Sequence, residues 1–218
     1  MLATIKQLLR PTAYHLVSVI FRQKAQLTPE NLLAEYRQGR FPLTERFGRL
    51  GWHEPDQRAI LPLDSRFHVP RNVRKLIRSE RFTVTFDQAF RQVINECAAP
   101  TPNREWTWIS PEIIEAYCKL HQLGHAHSVE VWSEDRLVGG GYGISIGGFF
   151  SGESMFSRES QTGKVALVHH VERLRERGFI LLDSQTASNF SRQFGVIEIP
   201  RAEYKTLLAD ALKVNAYY

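Results

Sequence analysis

Seven glycines fall between Leu137 and Glu153, in the run LVGGGYGISIGGFFSGE, and they sit among branched and aromatic residues. Val138, Tyr142, Ile144, Ile146, Phe149 and Phe150 favour strand, and Gly147-Gly148 is a ready two-residue turn. The run therefore reads as paired antiparallel strands whose backbone carries little side-chain bulk. Such backbone leaves main-chain donors and acceptors open to a ligand. Two acids stand close to it in the pattern: Glu153, in GESMFS, and Asp183, at the end of the apolar strand FILLDSQ. A glycine cluster alone equally serves bulges and hairpin turns with solvated acids beside them.

The surrounding pattern alternates strand and helix. RFTVTF (81–86) reads as a strand, and Asp87 is placed to cap a helix with Phe90, Val93, Ile94 and Cys97 inward. Ser110-Pro111 opens another helix, which buries Ile113, Ile114, Tyr117 and Leu120 and stops at Gly124. HSVEVW, RLVGGGYGISI and FFSGESMFS follow as three antiparallel strands. A helix over 164–177 then ends at Gly178, FILLDSQ and IEIPR are strands, and 203–212 closes as a helix. Upstream, 29–40 reads as a short helix and Phe41-Pro42 opens a loop that reaches Leu63. These elements predict an α+β protein: a small N-terminal domain over 1–65, and a mixed α/β sandwich over 66–218 around a mostly antiparallel sheet.

A chain of 218 residues suits one or two domains and can remove roughly 70% of its extended surface from water. Cys97 and Cys118 show neither metal spacing nor a disulfide framework, which predicts a reduced, cytosolic setting. No apolar run approaches the ~20 residues that span a bilayer. Residues 2–24 space Ile5, Leu8, Leu9, Leu16, Val17, Ile20 and Phe21 helically around Pro11. They predict an amphipathic helix packed on its own protein, with a membrane-surface helix as the other reading.

The net charge of +5 is concentrated. Arg66, Arg71, Arg74, Lys75, Arg78 and Arg81 face only Glu80 within sixteen residues, so the rest of the chain is nearly neutral. After Pro70, Arg71, Arg74, Lys75 and Arg78 fall on one helix face, with Val73, Leu76 and Ile77 opposite. A stripe of one sign repels itself unless an anion compensates it, which favours a polyanion partner over a merely solvated face.

Several segments in order and spacing resemble the leucyl/phenylalanyl-tRNA–protein transferases: YRQGRFP (36–42), GWHEPDQRAILPLDS (51–65), TWIS (107–110), AYCKLHQLGHAHSVEVW (116–132), GESMFS and GFILLDSQ. The similarity spans about Leu32 to Arg201, and motifs in register are more specific than one short pattern. The resemblance implies a GNAT-type acyltransferase fold for the larger domain. It also implies transfer of an amino acid from the 3′ end of tRNA to the N-terminal amine of a protein that begins with Arg or Lys, marking it for N-degron degradation. Acetyl-CoA users of that fold carry R-x-x-G-x-G/A before the helix; SRESQTGK has only Gly163, so neither acetyl-CoA nor any other cofactor is expected.

By the same resemblance, Asp183 and Gln185 of a D-x-Q motif are the catalytic pair, with Asp183 orienting and deprotonating the amine. Glu153 holds a positive amine, either that of the aminoacyl group or that of the acceptor. From spacing alone, Asp183 serves equally well as a strand end that caps the loop before Asn189. Phe150, Gly152, Met155 and Leu182 form the wall of an apolar pocket for the Leu or Phe side chain. Such a wall separates neighbouring apolar side chains by only ~1–3 kcal/mol per methylene. Trp52 and Trp108 match the aromatic positions that stack the terminal adenine, and the basic helix face would hold acceptor-stem phosphates.

Departures from the family pattern are Ser184 inside the D-x-Q motif, Gly141 where a larger apolar residue is common, His53 for a second tryptophan, and Ser188 for an asparagine. Gly141 enlarges the pocket and bears on the choice between Leu and Phe. His121, His125 and His127 lack metal-site company, and GESMFS is not a nucleophile elbow, so no metal is expected and a serine hydrolase is not supported. Two other readings remain: an aminoacyl-tRNA-dependent ligase with a small or cell-wall acceptor, and a tRNA-binding module without turnover.

Overall fold

The computed structural model describes residues 27–44, 50–101 and 105–218, so the helical pattern of 2–24 lies outside the described residues. In chain order the elements are α1 (Pro29–Arg37), β1 (Phe41–Thr44), β2 (Leu50–His53), β3 (Gln57–Leu61), α2 (Arg71–Arg78), β4 (Thr83–Phe86), α3 (Phe90–Ala98), α4 (Pro111–Gln122), β5 (Ala126–Ser133), β6 (Arg136–Ile146), β7 (Phe149–Ser157), α5 (Thr162–Glu176), β8 (Leu181–Gln185), α6 (Asn189–Arg192), β9 (Ile197–Pro200) and α7 (Arg201–Ala211).

The glycine run forms β6 and the start of β7, at the centre of a seven-stranded sheet ordered β4-β5-β6-β7-β8-β3-β9. Every neighbouring pair is antiparallel except β7 and β8, which run parallel over Phe149–Ser151 against Leu181–Asp183 and then stop pairing. Helices cover both faces. Tyr142 and Ile144 pack with Phe90, Val93, Tyr117 and Leu120 of α3 and α4. Val129, Phe150 and Leu182 pack with Val165, Leu167 and Val171 of α5 and with Val73 of α2. This is the expected α+β fold, a mixed sheet between helical layers.

Local signals account for the helix ends. Ser110 accepts from the Ile113 amide at the start of α4, and Thr28 accepts from the Asn31 amide at the start of α1. Gly178, with φ +79°, follows α5 as expected.

Three expectations need correction. The stretch expected as a loop from Phe41 to Leu63 contains three strands; β1 and β2 pair as a separate hairpin despite Pro42, which a two-stranded edge tolerates. β3, which precedes Ser65, is hydrogen-bonded between β8 and β9, so the large sheet crosses the expected domain division. Buried Ala59 and Leu61 need that pairing. Asp87 does not cap α3, whose N-cap is Ala89; instead Asp87 adopts φ +59° and accepts from the Ser128 amide and from His127.

Candidate active site

Where β7 and β8 stop pairing, the strands splay and open a cavity of about 420 Å³. One wall is Gly152, Glu153, Ser154, Met155 and Phe156 of β7; the other is Leu182, Asp183, Ser184 and Gln185 of β8 with Thr186 and Ser188 beyond it. Gly141, Tyr142 and Phe150 also line it, and Gly163, Leu167 and His170 of α5 border it. The volume suits a small-molecule or side-chain-sized ligand. All eight residues expected at the reacting centre and pocket, Asp183, Gln185, Glu153, Phe150, Gly152, Met155, Leu182 and Gly141, thus share one cavity.

Backbone irregularity aims the polar members. The β6–β7 ladder pairs Tyr142 with Ser154 and Gly143 with Gly152, leaving Glu153 as the extra residue of a β-bulge. A bulge frees its residue from the ladder and redirects its side chain. Close approach at this point requires Gly143, because a Cβ there would lie 2.2 Å from the Ser151 carbonyl oxygen. A second irregularity pairs Ala59 with Gln185 and Ile60 with Asp183, so Ser184 is extra on β8. Gln185 then takes φ +57°, a left-handed conformation that costs energy outside glycine and is found where surrounding contacts enforce it.

Asp183 supplies that enforcement. It is fully buried, and its Oδ1 accepts from the Gln185 amide at 2.9 Å and from Arg58 Nε at 2.9 Å. Its Oδ2 accepts from Tyr204 Oη at 2.8 Å and from Arg58 Nη2. Arg58 is 1% exposed; its guanidinium lies between the rings of Phe41 and Tyr204 and donates through Nη1 to the Gly39 carbonyl at 2.8 Å. Burial works against its charge, but the adjacent Asp183 more than offsets this and holds the guanidinium above its ordinary value.

Glu153 has a different environment. Oε1 accepts from Ser151 Oγ at 2.9 Å and from Gln185 Nε2 at 3.4 Å, and Oε2 accepts from Tyr117 Oη at 3.3 Å. Tyr117 in turn shares a short hydrogen bond with Tyr36 of α1. Burial pushes the carboxyl up to about 7; the Tyr36 and Ser151 hydroxyls oppose that shift and the charge of Asp183 adds to it. The Gln185 side-chain amide also donates to Ser151 Oγ at 2.8 Å, so Gln185 links the two acids. His170 sits against Phe150, its Nδ1 is 2.9 Å from Tyr218 Oη, and burial pushes it down to about 3, so it stays neutral in the wall.

The remaining expected residues lie outside the cavity wall. Trp52 of β2 and Trp108 are half-buried against the core on the α3/α4 face. Arg71, Arg74, Lys75 and Arg78 are all exposed on α2, and among the described residues none of them has an ion pair. Val73 anchors α2 in the buried layer that contains Leu167, Phe150 and Leu182, and Asn72 donates to Gln161 at 3.4 Å at the start of α5. There the Gly163 amide donates to Ser157 Oγ at 2.9 Å and the Lys164 amide to the Gln161 carbonyl at 2.9 Å, so these first-turn donors are paired within the chain. Among the described residues no group of three or more His, Cys, Asp or Glu could hold a metal ion, and no helix is long and apolar enough to cross a membrane.

Arg58, Tyr204, Tyr36, Ser151 and His170 carry no site assignment from the sequence, and Tyr117 is read there only as a buried helix residue. Only Arg58 left a signal there, as a lone charge directly before the apolar Ala59-Ile60-Leu61 of a strand. A charged residue on such a strand is buried only with a partner, and the partner lies 125 residues away.

The sequence model of the leucyl/phenylalanyl-tRNA protein transferase family matches residues 60–209. A leucyl/phenylalanyl-tRNA–protein transferase of Rhodopseudomonas palustris strain BisB18 is 50% identical over 190 residues, covering 86% of this chain and 82% of that protein. Another, from Herpetosiphon aurantiacus, is 48% identical over 193 residues, covering 88% and 98%. Among solved structures, that of FemX is similar with a TM-score of 0.54 at 12% identity, covering 67% of this chain and 60% of that one, a likeness of fold. With the family model spanning residues 60–209, and relatives 48–50% identical over 86–88% of the chain, this protein belongs to the leucyl/phenylalanyl-tRNA protein transferase family.

Proposed function

We propose that this aminoacyl-tRNA–protein transferase moves leucine, phenylalanine or methionine from tRNA to the N-terminal amine of proteins that begin with Arg or Lys, in the cytosol, so marking them for N-degron degradation. The observation that carries this is the convergence of two acids, Gln185 and an apolar wall in one cavity between the splayed strands. Phe150, Met155 and Leu182 with Gly141 and Gly152 take the apolar aminoacyl side chain, and Met155 adapts to its shape. The reacting ester then lies against the polar end, where Asp183, Gln185 and Glu153 surround the incoming amine. No metal and no coenzyme enters the reaction.

The exposed stripe of Arg71, Arg74, Lys75 and Arg78 holds acceptor-stem phosphates, as an unpaired row of one sign suits a polyanion. Trp52 and Trp108 offer aromatic faces for the terminal adenine, where stacking contributes ~1–3 kcal/mol per base.

The test is transfer of labelled leucine, phenylalanine and methionine from charged tRNA to a panel of acceptors. Label on peptides that start with Arg or Lys, and none on a cell-wall precursor, is the expected result. Label on the precursor instead would move the chain to the ligase reading. Salt-sensitive tRNA binding with no product on any acceptor would leave a binding module.

A further inference from the structure

Two acids share the cavity, and their surroundings differ in a way that separates their roles. Asp183 is fully buried, and its two oxygens already take Arg58 Nε and Nη2, Tyr204 Oη and the Gln185 amide. A carboxylate has about four lone-pair sites, so none is left to receive an amine proton. Glu153, as the bulge residue, projects into the cavity and has only neutral partners, two of them at 3.3 and 3.4 Å. Among the described residues no cation lies within 4 Å of it.

From this geometry we infer that Glu153 takes the proton of the attacking amine, while Asp183 is a positioning residue that Arg58 and Tyr204 hold in place. The inference rests on the transfer reaction proposed above. The incoming N-terminal ammonium gives one proton to the Glu153 carboxylate, which frees the nitrogen lone pair. Nitrogen attacks the ester carbonyl carbon; the C–N bond forms and the bond from that carbon to the ribose oxygen breaks. The nitrogen's second proton passes to the ribose oxygen, leaving an amide and a hydroxyl, and Glu153 releases its proton to water. Asp183 acts through Gln185: its Oδ1 holds the Gln185 amide in the left-handed turn from which Nε2 reaches Ser151 and Glu153.

The groups facing Glu153 are compatible with this role. Tyr36 of α1, Tyr117 of α4 and Tyr142 of β6 are all held by burial well above the ordinary tyrosine value, so they stay protonated around it. Ser151 and Gln185 are neutral, Asp183 lies behind Gln185, and the Arg58 and Tyr204 groups behind that are bound to Asp183. A carboxyl raised to about 7 by burial is half ionised at neutral pH, which suits a proton acceptor.

The experiment is kcat against pH for transfer from leucyl-tRNA to two Arg-started peptides whose α-amines differ in basicity. The parent enzyme is expected to rise with a midpoint near 7 for both peptides. Glu153→Gln loses that limb and falls by about 100-fold or more in kcat. Glu153→Asp regains part of the rate together with the limb. Asp183→Asn is slower but keeps the midpoint. A midpoint that follows the basicity of the peptide amine in the parent enzyme would overturn the inference without any variant. So would a Glu153→Gln enzyme with a higher KM for leucyl-tRNA and an unchanged pH profile, which would make Glu153 a holder of the aminoacyl ammonium. Absence of transfer by the parent enzyme to either peptide would remove the reaction itself, and this inference with it.

Discussion

Arg58 and Asp183 form a fully buried ion pair at the back of the cavity, with Nε within 2.9 Å of Oδ1 and 3.1 Å of Oδ2. The pair joins three parts of the chain: β3, β8 and, through Gly39, the end of α1. Breaking such a pair strands a charge in a low-dielectric interior, which costs far more than the net worth of the pair. Arg58→Met is expected to destabilise the protein by about 3–5 kcal/mol in urea unfolding. Asp183→Asn added to Arg58→Met should recover part of that loss. A single variant as stable as the parent would show that water reaches Asp183 and that it is not locked.

Glu153 predicts a stability that depends on pH. Its carboxyl moves from an ordinary 4.5 to about 7 in the fold, so between those values the native state binds more protons than the unfolded chain. Stability contributed by this group is therefore full below about pH 4.5 and falls as pH rises through 7. The Glu153→Gln variant lacks that decline and should exceed the parent at about pH 8 by up to about 3 kcal/mol in urea unfolding. A variant that is more stable and less active separates loss of chemistry from loss of fold. Equal stability of the two proteins under those alkaline conditions would mean that the carboxylate is not desolvated.

Gly141 sets the width of the pocket beside Met155. A Cβ at this position would lie 2.8 Å from Met155 Cγ and 3.0 Å from the Ser154 carbonyl oxygen, so Met155 must move into the cavity to accommodate it. Gly141→Ala is expected to lower kcat/KM for phenylalanyl-tRNA about tenfold more than for leucyl-tRNA, the scale of one methylene in an apolar site. An unchanged ratio of the two donors would place the side chain elsewhere.

The α2 stripe predicts a salt dependence. Replacing Arg71, Arg74, Lys75 and Arg78 with Gln should weaken tRNA binding and reduce its slope against log salt by a little under one for each phosphate left without its cation. The rate at saturating tRNA should stay at the parental value, because these side chains are outside the cavity wall. An unchanged slope would show that the stripe faces water and not RNA.

Much of the site was legible in the residues. The glycine run pointed to exposed sheet backbone, and GESMFS and FILLDSQ marked the two acids that the cavity brings together. Periodicity found α3, α4, α5 and β5 to β8 because each has an apolar face long enough to read. β1 and β2 were missed because four-residue strands containing Pro42 or flanked by turn residues carry almost no period. Asp87 was misassigned because a capping side chain and one that bonds a neighbouring strand look alike in sequence; its partner, the Ser128 amide, lies 41 residues on.

The amino-acid order by itself determined the layered α+β fold, the family, the placement of a basic stripe on α2, and which side chains were available for chemistry, since all of these follow from local pattern or from residue identity. Only the tertiary structure decided how the two acids differ. Arg58, Tyr204 and the Gln185 amide converge on Asp183 from three segments, whereas the bulge turns Glu153 toward the cavity among neutral hydroxyls. The physical reason is that the part a carboxyl can play depends on the donors packed against its oxygens, and those neighbours come from parts of the chain that no local pattern relates.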